Sequence, residues 1–251
     1  MDARSDASRR VAEYLQRMEK PVCVVIGVGP GNGAAIARRF AAEGYATALV
    51  ARRPDLIEEL ARQLGPPARA YRCDAADRSA LERTFDTIEA ELGRVDVLVY
   101  NSGSGVWGTV EEITPDAFES TWRVNGLGAL VAAQQVIPAM KKRGQGTIVY
   151  IGATASRRGG PKSTAFSSAK GAQRLLAESM ARHLWPAGVH VALAVIDGVV
   201  DLPLTRERMP DKPDEFFVRP DDVASTVLAI VRQPRSAWSF EVEVRPFGEK
   251  W

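Results

Sequence analysis

The run Gly27-Val28-Gly29-Pro30-Gly31-Asn32-Gly33 is the first place in this 251-residue sequence where residue type and spacing point to chemistry. It follows an apolar stretch at 22–26 and opens a stretch at 31–43 in which Ile36, Ala37, Phe40 and Ala41 repeat on one helical face. Between a strand and a helix, glycines permit a tight turn and let backbone N–H groups approach a pyrophosphate at the positive end of the helix. That context predicts dinucleotide binding by Gly27, Gly29, Gly31, Asn32 and Gly33. A second signal closes the next apolar run, which reads Ala51-Arg52-Arg53 with no acid before Asp55. An acid there would hold the ribose 2′-hydroxyl of NAD, whereas the planar fork of arginine suits the 2′-phosphate of NADP. NADP(H) is therefore the expected cofactor, with a solvated charge pair at a helix entry as the plainer reading of the two arginines.

The elements that must position these groups alternate along the chain. Strands are expected at 22–26, 46–51, 68–73, 97–100, 147–151, 189–196 and 240–244, with amphipathic stretches between most of them. Thr114 followed by Pro115 marks a helix start, an N-cap and a proline at the first helical position. Long helical patterns at 163–185 and 220–232 stop at Pro186 and before Pro234. Alternating strands and helices imply a single doubly wound Rossmann-type α/β domain with about seven strands, mostly parallel, covered on both faces by helices. The unbroken apolar runs VCVVI, DVLVY and VALAVI fit strands buried on both faces. Residues 1–20 read as a helical extension, 21–251 as the domain, and 197–219, with Pro203, Pro210 and Pro213 and no clear period, as a substrate lid.

With these elements in place the sequence resembles the short-chain dehydrogenase/reductase family over about residues 21–245. Gly27, Gly31 and Gly33 have the spacing of that family's glycine loop. Tyr100-Asn101-Ser102-Gly103 resembles its Asn-Asn-Ala-Gly, and Asn125 matches its structural and catalytic asparagine. Phe166-Ser167-Ser168-Ala169-Lys170 stands where the family carries Tyr-x-x-x-Lys, and Ile196-Asp197-Gly198 replaces a Pro-Gly. The resemblance implies that Asp74 meets the adenine amino group, that Asn101 and Gly103 contact the cofactor, and that Lys170 holds the nicotinamide ribose. It also implies a catalytic serine at the position of Ala153 and a catalytic tyrosine at that of Phe166. Neither Ala153 nor Phe166 carries an exchangeable side-chain proton, while Lys170 and Asn125 are retained.

General acid catalysis typically contributes about 10²–10⁴ in rate, and an oxyanion donor about 10²–10³. Ordinary ketone reduction by the family's route is thus not expected. Substitute donors are Asp197, tentatively, at the carboxyl end of the sixth strand, where capping the following turn is an equal reading, Lys170 if burial lowers its pKa, Tyr100, Tyr150, or water. Thr154 qualifies only if the fifth strand has ended before it, and one helical step turns Ser167 and Ser168 away. Three function classes follow: an NADP(H)-linked oxidoreductase on a small organic substrate, including a polarised C=C or an iminium that needs no protein acid; a non-redox cyclase or isomerase with NADP as scaffold; and a silent NADP sensor.

Trp107 is expected to line the substrate pocket, with surface packing as the plainer reading, His183 and His190 to be structural, and the aromatic tail at 240–251 to dock at a subunit contact in a dimer or tetramer. Lys and Arg number 33 against 31 Asp and Glu, a net +2 that argues against nucleic acid as a partner. No apolar run reaches the ~20 residues of a membrane span, and the charged N-terminus lacks a signal peptide's apolar centre. Two cysteines, Cys23 and Cys73, support neither a disulfide framework nor a metal cage. A cytoplasmic protein is the expectation.

Overall fold

The computed structural model describes residues 20–248. The expected extension at 1–20 lies outside them save for Lys20, as do the last three residues of the aromatic tail. In the first half, β1 (Val22–Ile26), α1 (Asn32–Ala42), β2 (Ala46–Ala51), α2 (Pro54–Leu64), β3 (Arg69–Arg72), α3 (Arg78–Leu92) and β4 (Val95–Tyr100) alternate strictly. The second half adds α4 (Pro115–Trp122), α5 (Gly128–Arg143), β5 (Gly146–Ala153), α6 (Thr164–Leu184) and β6 (Val189–Ile196). It closes with β7 (Val199–Val200), α7 (Pro203–Arg208), β8 (Phe217–Val218), α8 (Pro220–Val231) and β9 (Glu241–Val244).

Seven strands form one sheet in the order β3-β2-β1-β4-β5-β6-β9, and every neighbouring pair is parallel. Parallel pairing demands a crossover between successive strands, and the helices supply it on both faces. Val22, Val24 and Ile26 face a core shared with α3, α5 and α6, while Cys23 and Val25 face one shared with α1, α2 and α8. This period of two across a wholly apolar strand is why β1 reads as an unbroken hydrophobic run. Because the chain winds outward from β1 in both directions, a crevice opens at the carboxyl ends of β1 and β4.

Several boundaries differ from the sequence expectation, each for a tertiary reason. β5 runs on to Ala153 because it pairs with β6 as far as Ile196. Helix α4 starts as expected, with the Thr114 hydroxyl accepting from the Ala117 N–H at 3.2 Å and Pro115 in its first turn. It then passes through a π turn at Arg123–Leu127 before α5 begins. The segment 197–219 is built rather than irregular: β7 pairs with β8, and the Thr205 hydroxyl accepts from Leu202 N–H at 2.9 Å and donates to Val200 carbonyl at 2.6 Å. Tyr100 and Tyr150, considered above as proton donors, point away from the crevice into the α3–α5–α6 core. Their hydroxyls donate to the Val124 carbonyl at 2.5 Å and the Ala129 carbonyl at 3.1 Å, and burial raises both phenols well above the ordinary range.

The glycine turn is tight enough to test directly. A Cβ added at Gly33 would lie 2.4 Å from the Gly27 carbonyl oxygen, whereas one at Gly29 meets nothing within 4 Å. Gly33→Ala is expected to lower stability in urea unfolding by about 1–3 kcal/mol. Gly29→Ala should stay within about 0.5 kcal/mol.

Candidate functional site

The site begins at the switch in strand order. Gly27 leaves β1 with φ +91°, and its missing side chain makes room for the Ser102 backbone nitrogen, 2.4 Å from where a Cβ would sit. The Asn101 amide, at the end of β4, donates to the Gly27 carbonyl at 2.7 Å and ties the two strand ends together. Gly31 caps α1 without a side-chain acceptor, and no acid occupies the first turn of that helix. The N-terminal N–H groups and the helix dipole thus have no protein anion of their own there. Asn32 Oδ1 is buried nearby without a partner.

A cavity of about 570 Å³ extends from Gly27 and Gly29 to Arg52 and Arg53. Both arginines are exposed, and neither has an ion pair among the described residues. Asp74 lies beside it, between the lining residues Cys73 and Ala75, with one carboxylate oxygen accepting from the Ala76 N–H at 3.0 Å. Unpaired donors, two guanidinium groups and a glycine turn form a donor set that fits a polyanion such as a dinucleotide phosphate.

A second cavity of about 850 Å³ shares Asn101 and Gly103 with the first and continues over Ala153, Thr154, Phe166 and Lys170. Lys170 is almost wholly buried, and its amine donates to the Ile151 carbonyl at 2.9 Å and to Gln173 Oε1 at 3.0 Å. With two of three N–H groups so used, one remains, and a Cβ on Gly103 would lie 3.7 Å from Nζ. Burial disfavours the ammonium and brings the Lys170 pKa down to about 8. Phe166, one turn earlier on α6, packs its ring against Trp107 with centroids 5.2 Å apart. No group of three His, Cys, Asp or Glu among the described residues could hold a metal ion.

The π turn aims Asn125 into the interior. Its amide donates to the Ser104 carbonyl at 2.7 Å and the Thr121 carbonyl at 2.8 Å, and its Oδ1 is buried without a partner. Its backbone carbonyl accepts from Gln173 Nε2 at 3.2 Å. Gln173 therefore links Asn125 to Lys170 through one side chain, a role the sequence reading missed. The signal was present: a fully buried amide stands in the stripe Ala169, Gln173, Ala177 of α6, where an apolar residue would pack more simply.

Two of the substitute donors are placed differently from expectation. β5 ends at Ala153, so Thr154 enters a 3₁₀ turn and does reach the cavity. Its hydroxyl, however, hydrogen-bonds Asp197 Oδ1. Asp197, read as a tentative catalytic acid, is not among the cavity-lining residues, and its other oxygen is paired with Arg245. A carboxylate bonded on both oxygens and buried at the β6–β9 junction acts as a staple between strand ends. Ser163 and Ser167 share a hydrogen bond at 2.6 Å, and Ser168 bonds back to the Thr164 carbonyl. His190 stacks on Trp238 with its Nε2 2.9 Å from the Ser239 carbonyl, a structural setting far from the cavity. His183 is exposed late in α6, and Phe247 in the tail is 89% exposed.

Comparison with known proteins comes down on one family. Residues 21–213 match the family described as short chain dehydrogenase. A short-chain dehydrogenase structure from Rhodopseudomonas palustris is 32% identical, covers 90% of this chain and 99% of that one, and superposes with a TM-score of 0.78. A metagenomic short-chain oxidoreductase solved in complex with NADP is 28% identical, covers 90% and 97% of the two chains, and gives 0.78 as well. Among curated sequences, an oxidoreductase of Sarocladium schorii is 28% identical over 177 residues, 70% of this chain and 71% of that one.

The buried amine makes a measurable statement about pH. Between about 8 and the ~10.4 of an exposed lysine the native state binds fewer protons than the unfolded state, so stability rises with pH across that window. The burden of the buried charge is complete below about 8 and relieved above. Carbon-13 labelling of lysine Cε should show a single resonance titrating near 8 that disappears in Lys170→Met; every lysine titrating above ~10 would refute this.

Proposed function

The chain belongs to the short-chain dehydrogenase family, and from that premise we propose an NADP(H)-dependent oxidoreductase that acts on a small organic substrate without a tyrosine proton donor. The observation that carries this reading is the Lys170 amine, buried and hydrogen-bonded at a cavity whose neighbouring positions are Phe166 and Ala153. Gly27, Gly29, Gly31, Asn32 and Gly33 would hold the cofactor pyrophosphate, Arg52 and Arg53 its 2′-phosphate, and Asp74 its adenine. Asn101 and Gly103 would also contact the cofactor, and the one free N–H of Lys170 serves the substrate rather than the ribose. NADP(H), when bound, supplies or accepts a hydride.

The chain's own residues have the remaining work. Phe166 and Ala153 replace the hydroxyl pair that the family uses at the reacting oxygen, so neither of those two positions can supply the proton. Lys170 keeps one N–H free of protein acceptors, and at pH 7 the amine is mostly charged because its pKa is about 8. It is the acid nearest to where a carbonyl, enone or imine would be reduced. Asn125 and Gln173 fix the amine in place from the helix side, and Ile151 fixes it from the strand side. Thr154 is held by Asp197 and shapes the wall without donating to the substrate. Self-association as a dimer or tetramer belongs to the same reading: the outer faces of α4 and α6 leave Phe118, Trp122 and Leu175 exposed, apolar area that a second copy would cover.

Two experiments bear on this reading. Calorimetry should give NADP(H) about tenfold or greater preference over NAD(H), lost in Arg52→Ala with Arg53→Ala. Equal affinities would count against the arginine assignment. NADPH deuterated at the transferable position, offered a carbonyl, enone and imine panel, should leave deuterium in product. Unlabelled product would mean a cyclase or isomerase, and binding without turnover a sensor. In the same assay Phe166→Tyr combined with Ala153→Ser is expected to raise carbonyl reduction by about 10²-fold or more.

A further inference from the structure

The cavity beside Lys170 has an uneven charge. Arg157 bonds Glu241 at 3.0 Å and pairs with Glu243, Arg174 reaches Glu241 at 2.6 Å, and Arg206 holds Asp201 at 2.7 Å and Asp214 at 2.6 Å. Arg158, adjacent to Arg157, instead lines the cavity and has no ion pair among the described residues. Lys170 lines the same space, and no Asp or Glu does. Two cations thus face one concavity without a counter-charge, an arrangement that concentrates anions and binds them more strongly than open water would. The guanidinium fork is matched in shape by a carboxylate.

Apart from Asn32, Asn101, Ser104, Thr154 and Ser163, the rest of the cavity wall is apolar and partly aromatic. Trp107 remains 66% exposed although it packs at 40° against Phe166. A tryptophan left open beside a phenylalanine is a stacking platform lacking its third member. Gly105 keeps the platform accessible, since a Cβ there would lie 3.0 Å from the Phe166 ring. Ala153, Val199 and Leu202 supply aliphatic walls.

We propose that the substrate is an organic carboxylate: a planar apolar body packed on the Trp107–Phe166 pair, with its carboxylate bound by Arg158. This rests on the oxidoreductase reading for which cavity is the substrate site, and it adds the chemical class of the molecule. It also gives Phe166 a positive role. An aromatic ring without a hydroxyl packs a planar substrate and leaves no phenol oxygen to be desolvated under it.

The test measures binding and needs no turnover. Protein saturated with NADP+, so that Arg52, Arg53 and the glycine turn are already engaged, is titrated by calorimetry with 2-naphthoate and with 2-naphthamide. The two probes share a ring system and differ in charge. The naphthoate is expected to bind at one site about tenfold or more tightly than the amide, and to quench Trp107 fluorescence. In Arg158→Gln that preference should disappear while NADP+ affinity is unchanged, and Trp107→Leu should weaken both probes. Equal binding of the two probes, a preference that survives Arg158→Gln, or failure of both to bind overturns the proposal. Failure of the protein to bind NADP+ would overturn the cofactor reading instead, so the two can fail separately.

Discussion

Keeping a lysine amine out of water is the constraint on which this site depends. An isolated ammonium in a protein interior carries a penalty of several kcal/mol, so it survives only where acceptors surround it. Here the acceptors are the Ile151 carbonyl near the end of β5 and the Gln173 amide on α6. Each has a structural consequence. For the carbonyl to face Lys170, α6 must lie along the carboxyl end of β5. For the amide oxygen to face Lys170, its nitrogen needs an acceptor of its own, and the Asn125 carbonyl provides it. The π turn between α4 and α5 is where Asn125 faces inward, and such turns inside helices are frequent at functional sites. One buried charge thereby couples a strand end, two helices and the loop after β4.

That coupling also limits what the site can do. A hydroxyl pair at positions 166 and 153 would stabilise charge at a reacting oxygen, and this chain presents a ring and a methyl group there instead. Thr154 and Asp197 lie close by, but they bond to each other and to Arg245, which joins β6 to β9. Their geometry serves the sheet, while the Lys170 amine lines the second cavity. The segment 197–219 approaches from the other side: a Cβ on Gly31 would lie 2.6 Å from Leu202 Cδ2, so the glycine turn and the wall of the second cavity are in contact.

What the sequence made legible follows from which forces are local. The glycine turn, the Thr114–Pro115 start and the β1 and β6 runs are governed by backbone sterics, capping and burial on both faces, and all are visible in short windows. The opposite held for Gln173, whose meaning depends on Asn125 arriving from another helix 48 residues earlier. The two roles weighed for Asp197 could not be separated in sequence because its partner Arg245 lies 48 residues away on the far side of β9. A carboxylate at a strand end looks the same in sequence whether it faces a pocket or a guanidinium. The segment 197–219 hid its order for a similar reason, since the two strands that organise it are two residues each and make sense only as a pair.

In the proposed reaction the Lys170 ammonium takes the place of the family's tyrosine as proton source. The most direct measurement is the pH dependence of the single-turnover reduction rate, with NADPH and any substrate found to be reduced. The expected rate is constant at low pH and falls as pH rises through about 8, the value set by burial of the amine, with a flat, slower profile in Lys170→Met. A rate indifferent to pH between 6 and ~10.4, or a wild-type inflection that persists in Lys170→Met, would contradict it.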